Sequence, residues 1–148
     1  MIGEKFDNQI SNHNIDNILQ HITNYNGCYA KDQIHNLKNG FYVFNLEDIE
    51  EDGSHWTMLY KDDNNIIYID SFGIILPDTI LKLCKNHQIK YSSHHIQNIK
   101  SLNCGFYSIY FILQINHGID ILNILLKFSN DGSIKNDKIL FNELQEYI

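Results

Sequence analysis

Apolar residues recur along this chain in two rhythms, and the alternation between them lays out the elements. Ile15, Ile18, Leu19 and Ile22 fall at helical spacing over residues 14–23, with Ser11 or Asn14 placed to cap the start and Asn24-Tyr25-Asn26-Gly27 to end it. Residues 41–46 follow the Asn39-Gly40 turn signal and read as a strand. Two strand-like runs, 55–61 and 66–70, are joined by the turn formers Asp62-Asp63-Asn64-Asn65, which predicts a β-hairpin. Pro77 stands at a first helical position and opens a helix over 78–86, and residues 90–95 read as a strand. Residues 104–117 are apolar almost all round, broken by Ser108, Gln114 and Asn116 and closed by Gly118; such a helix belongs in the middle of a fold. Amphipathic helices over 119–128 and 136–147 follow. The order of elements predicts an α+β fold, with a small mixed β-sheet, a central buried helix and flanking helices.

Composition narrows what such a fold can do. The 148 residues carry no repeat, linker or low-complexity tract, so one domain over 1–148 is expected, long enough to bury a core without staples. Net charge is −7, and all 11 basic residues are Lys. With no Arg there is no planar fork for phosphate or guanine, and an acidic surface repels a polyanion. Nucleic acid is therefore not expected as the main partner. Cys28, Cys84 and Cys104 are odd in number and widely spaced, which suits reduced thiols. No apolar run reaches the length of a membrane span and no leader is evident at the start, so a soluble, intracellular chain without membrane contact is expected.

Three segments carry candidate chemistry. If Lys61 pairs with Ile66 in the hairpin, Asp70 falls opposite Thr57, and His55 lies one diagonal step away on the same face, within hydrogen-bonding reach. Cys104 opens the buried helix, where unpaired N–H groups and the helix dipole favour a thiolate. Gly105 beside it allows close backbone approach by a substrate. A Cys at a helix start, a His on a strand and an Asp behind it form the nucleophile, base and orienter of a thiol hydrolase. The Cys104 N–H and the Gln97 side-chain amide are natural oxyanion donors. Each residue alone has a plainer reading: Asp70 caps a turn, Gln97 is solvated, and any one of eight His is a surface or core residue. Cys84 and Cys28 read as buried hydrophobes, Phe106, Tyr107, Tyr110 and Phe111 as core, and the acidic loop 47–54 as solvated surface. Cys84 and His87 have metal-ligand spacing near His94-His95, but adjacent His on a strand diverge and no second Cys pair exists, so no metal site is expected.

The blocks Gly53-Ser54-His55-Trp56, Asp70-Ser71-Phe72-Gly73 and Gln97 with Asn103-Cys104-Gly105 resemble the catalytic blocks of the adenovirus maturation protease (adenain) family, within the clan of the SUMO and NEDD8 proteases. The compact versions of virophages and Maverick/Polinton-type elements are the nearest likeness, through the Lys-Asn-Gly-aromatic run at 38–41. The resemblance covers roughly residues 31–113. It implies a papain-like or adenain-like cysteine protease core with His55 as general base, Asp70 as its orienter, Cys104 as nucleophile and Gln97 as oxyanion donor. It also implies that Trp56 lines a groove narrow enough to favour Gly, giving cleavage after Gly-Gly or Gly-X. The substrates implied are viral capsid precursors cleaved during virion maturation, by a monomeric enzyme of the host cytoplasm or virus factory that is packaged in the virion. Asp70 stands where adenain has a Glu and matches the SUMO-protease side of the clan. Adenain's peptide and DNA activators are not carried over, since no residues match the first and the charge opposes the second; no cofactor is expected. Two other readings share the blocks: an isopeptidase for ubiquitin-like modifiers, and a protease-fold binding module whose triad is unused.

Overall fold

The computed structural model describes residues 10–47 and 55–147. Among them the chain forms α1 (Asn12–Leu19), β1 (Tyr25–Ala30), β2 (Gly40–Asn45), β3 (Trp56–Asp62), β4 (Asn65–Ile69), α2 (Asp78–Leu83), β5 (Gln88–Tyr91), α3 (Cys104–Asn116), α4 (Ile121–Leu125) and α5 (Lys135–Leu144). The strands build one mixed sheet in sequence order, antiparallel at β2–β3 and β3–β4 and parallel at its two outer pairs. This is the α+β arrangement that the hydrophobic pattern predicts.

The hairpin carries the register that the site needs. Lys61 pairs with Ile66 and Asp62 with Asn65, leaving Asp63-Asn64 as the turn, with Asp63 in the left-handed region at φ 50°. Alternation then sorts the strands onto two faces. Val43, Met58 and Ile69 join the core beneath α3, while Tyr42, Phe44, Leu59, Ile66 and Tyr68 pack with Leu76, Ile80 and Cys84 of the α2 side. Both faces being covered, every residue of β2 is buried.

The central helix α3 is buried at every residue from Cys104 to Gln114. Its polar interruptions are satisfied internally: Ser108 Oγ donates to Cys104 O (3.0 Å) and Gln114 Nε2 to Tyr147 Oη (2.9 Å). Phe106, Tyr107, Tyr110 and Phe111 are core residues, Tyr107 and Tyr110 meeting Phe128 edge-on.

Several boundaries differ from expectation. The residues assigned to end α1 instead start β1, where Gly27 (φ 117°) accompanies a register break between Tyr25 and Cys28. All six β1 residues are half-buried, so no alternation announces the strand. Pro77 is the residue before α2 rather than its first, with ψ 155°, and α2 stops at Leu83. Asn86 at φ 69° then turns the chain into β5, which ends at Tyr91, so residues 92–95 form a loop. The helix expected over 119–128 is reduced to α4, and the last helix is α5, closing at Leu144. Of the acidic loop 47–54, residues 48–54 lie outside the described residues, Gly53 and Ser54 of the first sequence block included. Among the described residues no helix is long and apolar enough to cross a membrane.

Asn136, on α5, ties the loops below α3 together. Its Nδ2 donates to Ile96 O (3.0 Å) and Ser129 O (2.9 Å), and its Oδ1 accepts from Ser129 N (3.0 Å). Asn136→Ala leaves these buried backbone groups without partners, so we expect a loss of about 1–3 kcal/mol in unfolding free energy. Urea denaturation checks it, as a lower midpoint with an unchanged slope.

Candidate active site

His55 immediately precedes β3, and its carbonyl accepts from Leu46 N (2.9 Å), continuing the pairing with β2. Asp70 immediately follows β4 and opens a tight turn in which Gly73 N donates back to Asp70 O (2.8 Å). Gly73 sits at φ 74°, and a Cβ there would lie 2.7 Å from Ser93 O, so the turn admits no side chain at that position. The register brings His55 Nε2 to 2.8 Å from Asp70 Oδ1. Asp70 is 1% exposed, and the same oxygen accepts from Phe72 N (2.8 Å). A carboxylate only accepts, so Nε2 carries the proton and Nδ1 is left to face another group.

Cys104 is the other side chain that interacts with this imidazole. Burial of the ring pulls its pKa down, but its interactions with Asp70 and Cys104 outweigh that and raise His55 to about 9. Phe72 stacks on the imidazole at 4.8 Å between centroids and 24° between planes, which fixes the ring's tilt. The thiol sits at the first residue of α3, and Trp56 N donates to Cys104 Sγ (3.4 Å). Asn103, before the helix, makes no side-chain cap; its Nδ2 donates instead to Asp137 Oδ2 (3.0 Å).

Gln97 lies in the loop between β5 and α3 and is 1% exposed. Ile96 N and Gln97 N both donate to Ser71 O (2.9 and 2.8 Å), which joins this loop to the Asp70 turn. Its Nε2 donates to Ser101 O (2.8 Å), and its Oε1 is 2.5 Å from Ser71 Oγ.

The two residues expected to contact substrate are both buried. Trp56 is only 6% exposed and belongs to the core under α3. A Cβ on Gly105 would lie 2.2 Å from Ile10 Cγ2 and 3.3 Å from Trp56 Cδ1. The missing side chain of Gly105 thus makes room for Ile10 and the indole. Ile10, Ser71 and Phe72 were not singled out by chemistry; Ser71 and Phe72 were legible only as members of the Asp-Ser-Phe-Gly block. The other thiols stand apart from this group. Cys84 is buried on the opposite face of the sheet and raised to about 11 by that burial. Cys28 lies 3.2 Å from Tyr25 Oη and is also raised, chiefly by burial. Among the described residues no group of three or more His, Cys, Asp or Glu could hold a metal ion.

No family model matches the sequence, and no curated protein is similar to it. Solved structures do resemble it. The ASFV pS273R protease superposes with a TM-score of 0.58 at 15% identity, over 94% of this chain and 66% of that one. A selenomethionine form of the same protease gives 0.59 at 16%, over 94% and 67%. The central domain of the Lpg1148 protein from Legionella pneumophila gives 0.55 at 13%, over 94% and 95%. The chain therefore spans about two thirds of the pS273R structure and shares its fold; at these identities the likeness is one of fold.

The geometry yields two predictions. Gly105→Ala forces Ile10 or Trp56 to move and should cost about 1–3 kcal/mol by overpacking, read as a lower denaturation midpoint. Because His55 is held at about 9 in the folded protein against 6.5 ordinarily, its contribution to stability is complete below pH 6.5. It is lost as pH rises toward 9. Melting temperatures taken from pH 6 to 9.5 should fall across that window in the native protein and fall less in Asp70→Asn.

Proposed function

We propose that this protein is a cysteine endopeptidase, and the observation that carries the reading is His55 held between Asp70 and Cys104. Asp70 fixes the tautomer, so Nδ1 of His55 receives the thiol proton, giving a thiolate beside an imidazolium. The sulfur attacks the scissile carbonyl carbon and its electron pair moves onto oxygen. Gln97 Nε2–H and the Cys104 N–H are assigned to that oxyanion. His55 then gives its proton to the leaving amine as the C–N bond breaks. Water, deprotonated by His55, attacks the resulting thioester, and expulsion of the sulfur returns the free enzyme.

The resemblance of the three sequence blocks supports a narrower assignment: viral structural precursors cut after Gly-Gly or Gly-X during virion maturation. The assignment places the enzyme in the host cytoplasm or virus factory and then in the virion, acting as a monomer. It gives no role to a metal, a peptide activator or nucleic acid.

The reading is tested first without a substrate, by alkylating the three thiols with iodoacetamide at pH 7 and mapping the products by mass spectrometry. Cys104 should react first, ahead of Cys28 and Cys84, and His55→Ala should remove its advantage. Equal reactivity of all three would overturn the assigned pair. Hydrolysis of a Gly-Gly aminomethylcoumarin peptide should vanish in Cys104→Ala and fall about 10²–10³-fold in Gln97→Ala. Comparing a capsid-precursor peptide with a ubiquitin-like fusion then decides the substrate class, preference for the fusion overturning the precursor assignment.

A further inference from the structure

An oxyanion donor works only if its N–H edge is already turned toward the reacting carbonyl, and a side-chain amide can flip. The surroundings of Gln97 leave it one orientation. Ser101 O is a carbonyl and can only accept, so the edge of Gln97 facing it must be Nε2 (2.8 Å). That turns Oε1 toward Ser71 Oγ at 2.5 Å, and the hydroxyl must then be the donor. The flipped amide would set Oε1 against Ser101 O, two acceptors in contact. Nε2 has two hydrogens, and with one on Ser101 O the second is the one an oxyanion can use.

We propose that Ser71 is a positioning residue that locks the Gln97 amide in its oxyanion-donating orientation; this rests on the reading of the site as a cysteine protease. Ser71 holds Gln97 twice. Its main-chain carbonyl takes the Ile96 and Gln97 N–H groups, setting where the residue stands, and its hydroxyl sets which way the amide faces. Ser71 is 2% exposed and Gln97 1%, so water does not readily replace a lost hydroxyl. Donation to Oε1 also polarises the amide and strengthens its N–H as a donor. Because Ser71 follows Asp70 directly, one turn positions the orienter of the base and the oxyanion donor together.

The test uses Ser71→Ala, Ser71→Thr, Gln97→Ala and the double variant Ser71→Ala/Gln97→Ala of the full chain. With the Gly-Gly aminomethylcoumarin peptide, Ser71→Ala should lower kcat by about 10–10²-fold, a part of the loss for the donor itself, with KM unchanged. Alkylation of Cys104 should stay at the native rate, since the Cys104–His55 pair is untouched. Ser71→Thr keeps the hydroxyl and should retain most of the rate. The double variant should be no slower than Gln97→Ala, because the hydroxyl acts through the amide. Losses that multiply, or a native kcat in Ser71→Ala, overturn the proposal.

A substrate-free arm separates this proposal from the protease reading. The side-chain amide protons of Gln97, identified in NMR spectra by their absence in Gln97→Ala, should exchange slowly with water in the native protein. Their protection should drop by about tenfold or more in Ser71→Ala and persist in Ser71→Thr. If no Cys104-dependent hydrolysis exists, the protease reading falls while this arm still decides the lock. Unchanged protection in Ser71→Ala overturns the lock whatever the activity.

Discussion

A carboxylate taken out of water has to find donors, and the rest of the site follows from how Asp70 finds them. Its Oδ1 takes one donor from the adjoining strand, His55 Nε2, and one from its own turn, Phe72 N. The first of these demands a fixed strand register, because a slip of one residue would turn His55 to the opposite face. Burial on both sides of the sheet prevents the slip. Moving β3 by one residue would exchange Met58, beneath α3, with Leu59, on the α2 face, and misplace every neighbour of each. The His55–Asp70 geometry is thus inherited from core packing, and the imidazole is tilted into place by Phe72 from the same turn.

The remaining groups are brought to this pair by two further connections. The helix α3 packs on β3, so its first residue, Cys104, lies against the start of that strand, where Trp56 N reaches the sulfur. The loop carrying Gln97 is bound to the Asp70 turn through Ser71 O and to α5 through Asn136. A site of the proposed kind needs these parts to keep their mutual distances to within a fraction of an ångström. Here each loop residue with a chemical role is anchored by at least one buried hydrogen bond to another element, so loops hold positions that only strands and helices usually guarantee.

The sequence reached the centre of this arrangement better than its edges, and the reasons are physical. The hairpin was legible because Asp63-Asn64 can be only a turn and the flanking residues alternate, which together fix the Lys61–Ile66 pairing. Helix α3 was legible because an apolar surface all round leaves no place for it but the middle. β1 was not, since its half-buried residues show no period and Tyr25-Asn26-Gly27 imitate a helix stop. α2 and α4 are shorter than their patterns because turns end them, Asn86 in the left-handed region after the first. The packing of Gly105 was hidden for a related reason. What fills the space beside a glycine depends on a residue distant in sequence, here Ile10, and local spacing carries no trace of it.

The entrance to α3 gives up a stabilising contact that its sequence could supply. An Asn before a helix ordinarily turns its side-chain oxygen onto the first-turn N–H groups and stabilises the helix by about 1 kcal/mol. Such a cap would set an oxygen on the Gly105 or Phe106 N–H, one or two residues past the Cys104 N–H assigned to the oxyanion. Asn103 is the right residue type in the right place, yet its amide is drawn away to Asp137, which also accepts from Tyr107 Oη of the same helix (2.7 Å). α3 therefore begins at Cys104 without a side-chain cap. The loss is tolerable because eleven successive residues, from Cys104 to Gln114, are buried, and their packing does not depend on the cap. A helix held by its core can leave its first turn uncapped, whereas a marginal surface helix could not.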